Sequence, residues 1–152
     1  MFLSAKAIAQ MAGQSKPHFL NPSAVRHDKS LGDAVGLKSI GVHIIVVQPG
    51  HYSTELHHHL VGEECVYVLS GYGLALIGEA TQTIGPGDFI GYPLNGIAHA
   101  MQATGDEPLV CLVMGERVDH EVTDYPRAKK RLYRNHGELS LVDYSNIQPI
   151  ER

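Results

Sequence analysis

Residues 55–71, ELHHHLVGEECVYVLSG, set three consecutive histidines, followed a few positions later by two glutamates, in an otherwise apolar run. Imidazole nitrogens and a carboxylate oxygen sharing one face would suit a divalent first-row metal ion. If His57–His59 is extended, side chains alternate between faces, so His57 and His59 point one way and His58 the other. Residues 60–63 have the length of a four-residue hairpin loop, which would return ECVYVL antiparallel with Glu64 opposite His59 and Val66 opposite His57. Directly opposed residues have Cβ atoms about 4.5–5.5 Å apart. His57, His59 and Glu64 are therefore expected to converge, with Glu63 turned away by one-residue parity. The competing reading is a group of histidines solvated, or hydrogen-bonded to one another, on an open sheet face.

Such a site needs strands to hold it, and from Ser39 onward the sequence reads as strands. SIGVHIIVVQPG, STELHHH, CVYVLSG, GLALIGE, TQTIGPG, DFIGYP, AHAMQA and LVCLVMG are short runs bounded by Gly, Pro, Asn or Asp. Runs of this kind at near-regular spacing predict an antiparallel sandwich or barrel over residues 38–115. Residues 1–37 lack period-two alternation. Ala5 to Ala12 could form a short helix, KPHFLNPS reads as an extended connector, and the segment is expected to wrap a sheet edge. Residues 116–152 are charged and irregular, and read as a tail with short strands or turns packed on the barrel. A chain of 152 residues fits one domain with one substantial core.

Composition narrows the function classes. A formal net charge of −4 argues against binding of nucleic acid by the whole surface, which requires clustered positive charge. Arg127, Lys129, Lys130, Arg131 and Arg134 do form a basic cluster, but charge runs of this sort are usually solvated faces. Cys65 and Cys111 lie in apolar runs and read as small buried hydrophobes. Lys6 interrupts the apolar N-terminus and no stretch reaches membrane-spanning length, so a cytoplasmic protein without membrane contact is expected. An exposed strand edge predicts a homodimer.

Residues 50–71 resemble the first motif of the cupin family, G-x5-H-x-H-x3–4-E-x6-G, through Gly50, His57, His59, Glu64 and Gly71; six residues rather than five follow Gly50. Residues 87–103 resemble the second, G-x5-P-x-G-x2-H-x3-N, through Gly87, Pro93, Gly96 and His99. Two residues rather than one separate Pro93 from Gly96, and Ala103 stands at the asparagine position. The resemblance implies an all-β double-stranded β-helix, or jelly-roll barrel. It also implies that His57, His59, Glu64 and His99 hold one divalent transition metal (Zn, Fe, Mn or Ni) in the barrel mouth. KSLGDAVGLKSIGVH, GERVDHEVTDYPRAKKRLYRN and VDY extend the likeness to single-domain bacterial cupins labelled only as cupin-domain proteins or, provisionally, as sugar-phosphate isomerases.

Four protein ligands on an octahedral ion leave two positions open, the layout of catalysis rather than of structure. The expected function is an enzyme acting on a small oxygen-rich metabolite, by isomerisation or by dioxygenase-type chemistry. The alternative is a barrel that binds or senses a small molecule without turnover. Residues 1–37 are too short and too rich in Pro and Gly for a helix-turn-helix, which favours the enzyme. Glu55 shares the parity of His57 and is the candidate acid or base, set beside a merely solvated or supporting role. His43 shares a face with Ile45 and Val47 and is read as a hydrogen-bonded core histidine rather than a fifth ligand, placed with the substrate pocket. Val66, Tyr92 and Met101, with Val68 and Ile90, are the expected apolar pocket lining.

Overall fold

Apolar residues recur at every second position in IGVHIIVV, ECVYVLS, HAMQA and LVCLVMGE, the repeat of a strand with one buried face. Each of these runs is a strand in the computed structural model of the chain, which describes residues 2–151. In chain order the elements are helix α1 (Ala5–Gln10), strands β1 (Gln14–His18) and β2 (Asn21–Ser30), helix α2 (Leu31–Ala34), and strands β3 (Ile40–Val47), β4 (His58–His59), β5 (Glu64–Ser70), β6 (Gly73–Ile77), β7 (Ala80–Ile84), β8 (Phe89–Tyr92), β9 (His99–Ala103), β10 (Leu109–Glu116), β11 (His120–Tyr125), β12 (Lys130–Asn135) and β13 (Glu138–Asp143). All eight runs expected to be strands contribute one, although STELHHH yields only His58–His59.

The strands pair antiparallel into a six-stranded sheet, β1-β2-β3-β10-β5-β8, a three-stranded sheet, β7-β6-β9, and a four-stranded sheet, β13-β12-β11-β4. An antiparallel bridge between His57 and His99 links the two smaller sheets into one layer facing the large sheet. The core between the layers contains Ile45, Val47, Val66, Val68, Met101, Leu109 and Cys111. This is the jelly-roll barrel that the sequence implies.

Parity explains why one end of the barrel is polar. Three inward-facing rows read His43-Ile45-Val47, Glu64-Val66-Val68 and His99-Met101-Ala103, each starting with a chemically competent residue and continuing with apolar ones. Alternation sends all members of a row to one face. The apolar members close the core, and the polar members collect at its rim.

Three expectations are corrected. The N-terminal segment does more than wrap: β1 and β2 form a hairpin that extends the large sheet through β2–β3 pairing, with the turn at Phe19–Leu20 inside KPHFLNPS. The short strands expected in the C-terminal tail join into one regular β11–β12–β13 meander, so the tail is not irregular. His57–His59 and ECVYVL are not hairpin partners: β4 pairs with β11, while β5 pairs with β10 and β8. His57 bridges to His99 and β4 lies on the edge of β11, while β5 is paired on both of its edges inside the large sheet, by β10 and β8, and so has no edge left for β4.

Gly71 shows why the first motif ends in glycine. Its φ is +78°, and a Cβ there would stand 2.1 Å from the carbonyl oxygen of Pro108. Only glycine fits both the left-handed backbone and the close approach of the chain entering β10.

Candidate metal centre

His57 and His99 face each other across the bridge between the two smaller sheets. The His57 N–H donates to the His99 carbonyl at 3.1 Å and the His99 N–H returns a bond to His57 at 2.7 Å, so the side chains share a face. Their ring centroids are 4.7 Å apart. His59, two residues along, lies on the same side at 5.0 Å from His57 and 6.3 Å from His99. Glu64 arrives from the opposite sheet, with its Oε1 3.9 Å from His99 Nε2. The three histidines and the glutamate are thus brought together, but by face-to-face sheets rather than by a hairpin. His58 points away, towards Asp124.

Each ring is oriented through Nδ1. His57 Nδ1 donates to the Glu55 carbonyl at 2.9 Å and His99 Nδ1 to the Ile97 carbonyl at 3.3 Å. His59 Nδ1 lies 3.4 Å from Thr123 Oγ1 and 3.6 Å from Glu121 Oε2. Holding the proton on Nδ1 leaves Nε2 with its lone pair, the arrangement a metal-binding imidazole requires. His99 Nε2 is buried and has no hydrogen-bond partner, an expensive state for a polar atom unless a ligand meets it. Imidazoles bound through one nitrogen at about 2.1 Å would place ring centroids roughly 4.5–6.5 Å apart, the spread observed. The donor set fits a divalent ion. Among the described residues no three such side chains stand close enough together to hold an ion as they are placed, so the donors would have to draw together around one.

Electrostatics point the same way. Burial, reinforced by the His99 and His59 rings, holds His57 well below the ordinary histidine range, and burial lowers His99 to about 4. Burial also lowers His59, against the opposing pull of Glu121. All three rings are therefore neutral near pH 7. Burial raises the Glu64 carboxyl, with Arg26 and His43 opposing. A cation placed among these groups would meet neutral nitrogen donors and a carboxylate that gains from its charge.

Strand β11 supports the ligands from below. Glu121, Thr123 and Tyr125 are buried on one face; Thr123 opposes His59 in register, and Tyr125 stacks on His57 at 5.9 Å and 26°. Glu121 accepts hydrogen bonds from the N–H groups of Gly62 at 3.0 Å, Val61 at 3.2 Å and Val122 at 2.8 Å, fixing the loop after His59. Sequence reasoning missed these three because the tail read as irregular; the alternation E-x-T-x-Y was the available signal.

Beside the donors lies a cavity of about 230 Å³, lined in part by Arg26, Asp28, His43, His59, Glu64 and Arg134. Its apolar floor is Ile45 and Val113. The expected lining is corrected in part: Val66 and Met101 are buried in the core one layer below, whereas Tyr92 borders a second cavity together with Glu64. Tyr92 lies flat against His99, with centroids 3.5 Å apart, and its hydroxyl is buried without a partner. His43 does line the cavity, its Nδ1 2.8 Å from Asp28 Oδ1. Glu55 does not: its carboxylate accepts from Asn21 Nδ2 at 2.8 Å, and its carbonyl orients His57. Of the basic cluster, Arg131 grips Asp124 through two bonds and Lys130 pairs with Asp143, leaving Arg134 at the cavity. Both cysteines are free, and burial pushes the Cys111 thiol up to about 12. Among the described residues no helix is long and apolar enough to cross a membrane.

Known proteins give this geometry a context. The sequence pattern of the cupin domain matches residues 43–115. A crystal structure from Acidithiobacillus ferrooxidans ATCC 23270, described provisionally as a sugar phosphate isomerase, is 51% identical, with 99% of this chain and 97% of that chain aligned and a TM-score of 0.96. A sugar phosphate isomerase of the cupin superfamily from Silicibacter pomeroyi DSS-3 is 25% identical over 99% of this chain and 97% of that chain, with a TM-score of 0.84. A predicted oxalate decarboxylase from Thermotoga maritima, 19% identical, shares the fold over 73% of this chain and 96% of that chain with a TM-score of 0.61. No curated protein matches the chain.

Proposed function

The chain belongs to the cupin family, and from that premise we propose that it is a mononuclear, divalent-metal-dependent enzyme acting on a small oxygen-rich metabolite, with sugar-phosphate isomerisation as its reaction class. The observation that carries this reading is the convergence of His57, His59, His99 and Glu64, with His99 Nε2 buried and unpartnered 3.9 Å from the Glu64 carboxylate. The names of the two relatives that align over nearly the whole chain support the reaction class.

In this reading His57, His59, Glu64 and His99 hold the ion, which when bound supplies Lewis-acid polarisation of a substrate carbonyl. The chain's own contribution is proton transfer. Isomerisation of an aldose and a ketose moves one proton between neighbouring carbons and a second between the oxygens they carry, so the carbon proton needs a group that accepts and returns it. His43 is that group: Asp28 binds its Nδ1–H, which directs the Nε2 lone pair to the cavity. Burial raises the Asp28 carboxyl, but its hydrogen bond to His43 and the charges of His43, Arg26 and His27 bring it below the ordinary value, so it stays ionised as the partner of His43. Tyr92 keeps the His99 ring flat, and the Ile45–Val113 floor limits how far substrate sinks.

Elemental analysis of protein purified without an affinity tag, beside His57→Ala and Glu64→Ala, tests the reading. It predicts one transition-metal ion per wild-type chain, lost in both variants, and solvent deuterium entering a sugar phosphate in the presence of wild-type protein but not His43→Ala. A wild type that binds no ion even on reconstitution overturns it. We also propose homodimerisation through the outer face of the large sheet, where Phe89, Tyr67 and Leu112 are cross-strand neighbours and Phe89 is 64% exposed. Sedimentation equilibrium giving a monomer at micromolar concentration would exclude it.

A further inference from the structure

Three arginines line the cavity, Arg26, Arg117 and Arg134, and all lie outside the matched cupin residues 43–115. The barrel core supplies the donor set, and the added segments supply the positive charge. Arg26 reaches in from β2 on the large sheet and Arg134 from β12 on the facing layer, where it opposes Glu121 in register. They approach one cavity from two walls.

Their partners distinguish them. Arg117 is committed to Asp33. Arg134 has no ion pair among the described residues within 4.0 Å. Arg26 has only a long hydrogen bond to the Ser53 carbonyl at 3.4 Å and a distant Asp28 at 4.0 Å. Of the carboxylates that line the cavity, Glu121 is engaged by three backbone N–H groups, Glu116 by the Glu63 N–H at 3.1 Å and Asp28 by His43, while Glu63 makes no ion pair with either arginine within 4.0 Å. Glu64 belongs to the donor set. Two guanidinium heads therefore face the cavity without committed anionic partners.

We propose that Arg26 and Arg134 form an anion subsite that grips the phosphoryl group of a small phosphorylated substrate and so sets which end of it meets the donor set. The inference rests on reading the cavity as a substrate pocket. Arginine suits the task because its planar fork matches phosphate oxygens two at a time. At about 230 Å³ the cavity is smaller than the roughly 300–1,000 Å³ usual for ligand pockets, which restricts its occupant to a small metabolite. Placement agrees too, since the charge of Arg26 bears on Glu64 and His57 and that of Arg134 on His59 and Tyr125.

The test is titration calorimetry of metal-free protein with inorganic phosphate at low ionic strength, with acetate as the second probe. Wild type and Arg127→Ala, at an exposed arginine away from the cavity lining, should bind phosphate saturably in the millimolar range, and Arg26→Ala and Arg134→Ala about tenfold more weakly. Arg134→Lys, which retains charge but loses the fork, should fall between. Circular dichroism of each variant checks the fold. Absence of saturable binding, binding undiminished in both alanine variants, or acetate binding as tightly as phosphate would overturn the subsite. Metal uptake measured on the same preparations separates the two readings. Arginine variants that lose phosphate binding while taking up metal normally support the subsite, whereas a wild type that takes up no metal overturns the donor-set reading alone.

Discussion

Tyr92 lies against His99 with ring centroids 3.5 Å apart and planes within 3° of parallel, while its hydroxyl is buried without a partner. The ring and the hydroxyl therefore have opposite effects on stability. The ring fills the layer between core and donor set and fixes the orientation of His99. The hydroxyl is an unsatisfied polar group, whose burial costs about 1–3 kcal/mol. Tyr92→Phe is expected to retain metal binding and to raise the stability of the metal-free protein by up to about 1 kcal/mol. Tyr92→Ala should lose about 3–5 kcal/mol and bind metal more weakly. Urea denaturation paired with elemental analysis reads both. A Phe variant much less stable than wild type would show that the hydroxyl has a partner.

The stability of the metal-free protein should fall in mild acid. Burial lowers His99 from 6.5 to about 4, and His57 lies well below its ordinary range for the same reason, with its histidine neighbours adding to it. A histidine with a depressed folded pKa binds its proton more weakly when folded than when unfolded. The unfolded chain therefore takes up more protons once the pH drops below about 6.5, and stability is lost progressively towards pH 4 and below. His99 alone corresponds to roughly 3 kcal/mol across that window. Thermal unfolding between pH 8 and pH 4 checks this, and an unchanged midpoint from pH 7 to pH 5 would contradict neutral, buried rings.

Glu121 ties the loop after His59 to β11. Glu121→Ala leaves the buried Gly62 N–H without its acceptor, a loss of about 1–3 kcal/mol. It also removes the carboxylate 3.6 Å from His59 Nδ1, and supports of this kind typically carry about 10–100-fold in metal affinity. Glu121→Gln, which keeps one amide oxygen as acceptor, should recover part of the stability and less of the affinity. Chelator competition alongside denaturation separates the two effects.

His43→Gln should abolish proton exchange on a sugar phosphate while leaving metal content unchanged, because His43 lines the cavity but is not one of the four donors. Asp28→Asn should shift the pH profile of the remaining activity rather than erase it, since Asp28 acts through the ring it binds at 2.8 Å. Pre-steady-state exchange of deuterium from solvent, measured against pH, distinguishes these outcomes from a purely structural role.

The sequence by itself determined the local elements and, through its likeness to the cupin motifs, singled out the candidate donors. Period-two alternation in IGVHIIVV, ECVYVLS and HAMQA dictates which side chains face inward, because strand geometry leaves no other choice. The same alternation makes His57 and His59 neighbours. Motif spacing singled out Glu64, His99 and Gly71, and the φ of +78° at Gly71 supplies the reason for the last. Strand pairing, however, was decided only by the tertiary structure. The antiparallel return expected after His59 does not form, since β4 finds its partner in β11, more than sixty residues on. His99 reaches His57 by a bridge between distant segments. Arg26, Asp28, Glu121 and Arg134 reach the site from outside the motif-bearing core, on strands whose alternation is masked by charge. Local sequence specifies the face a side chain occupies, whereas which face meets which depends on hydrogen bonding and burial summed over the whole chain, and that sum brought the tail's Glu121 to within 3.6 Å of His59.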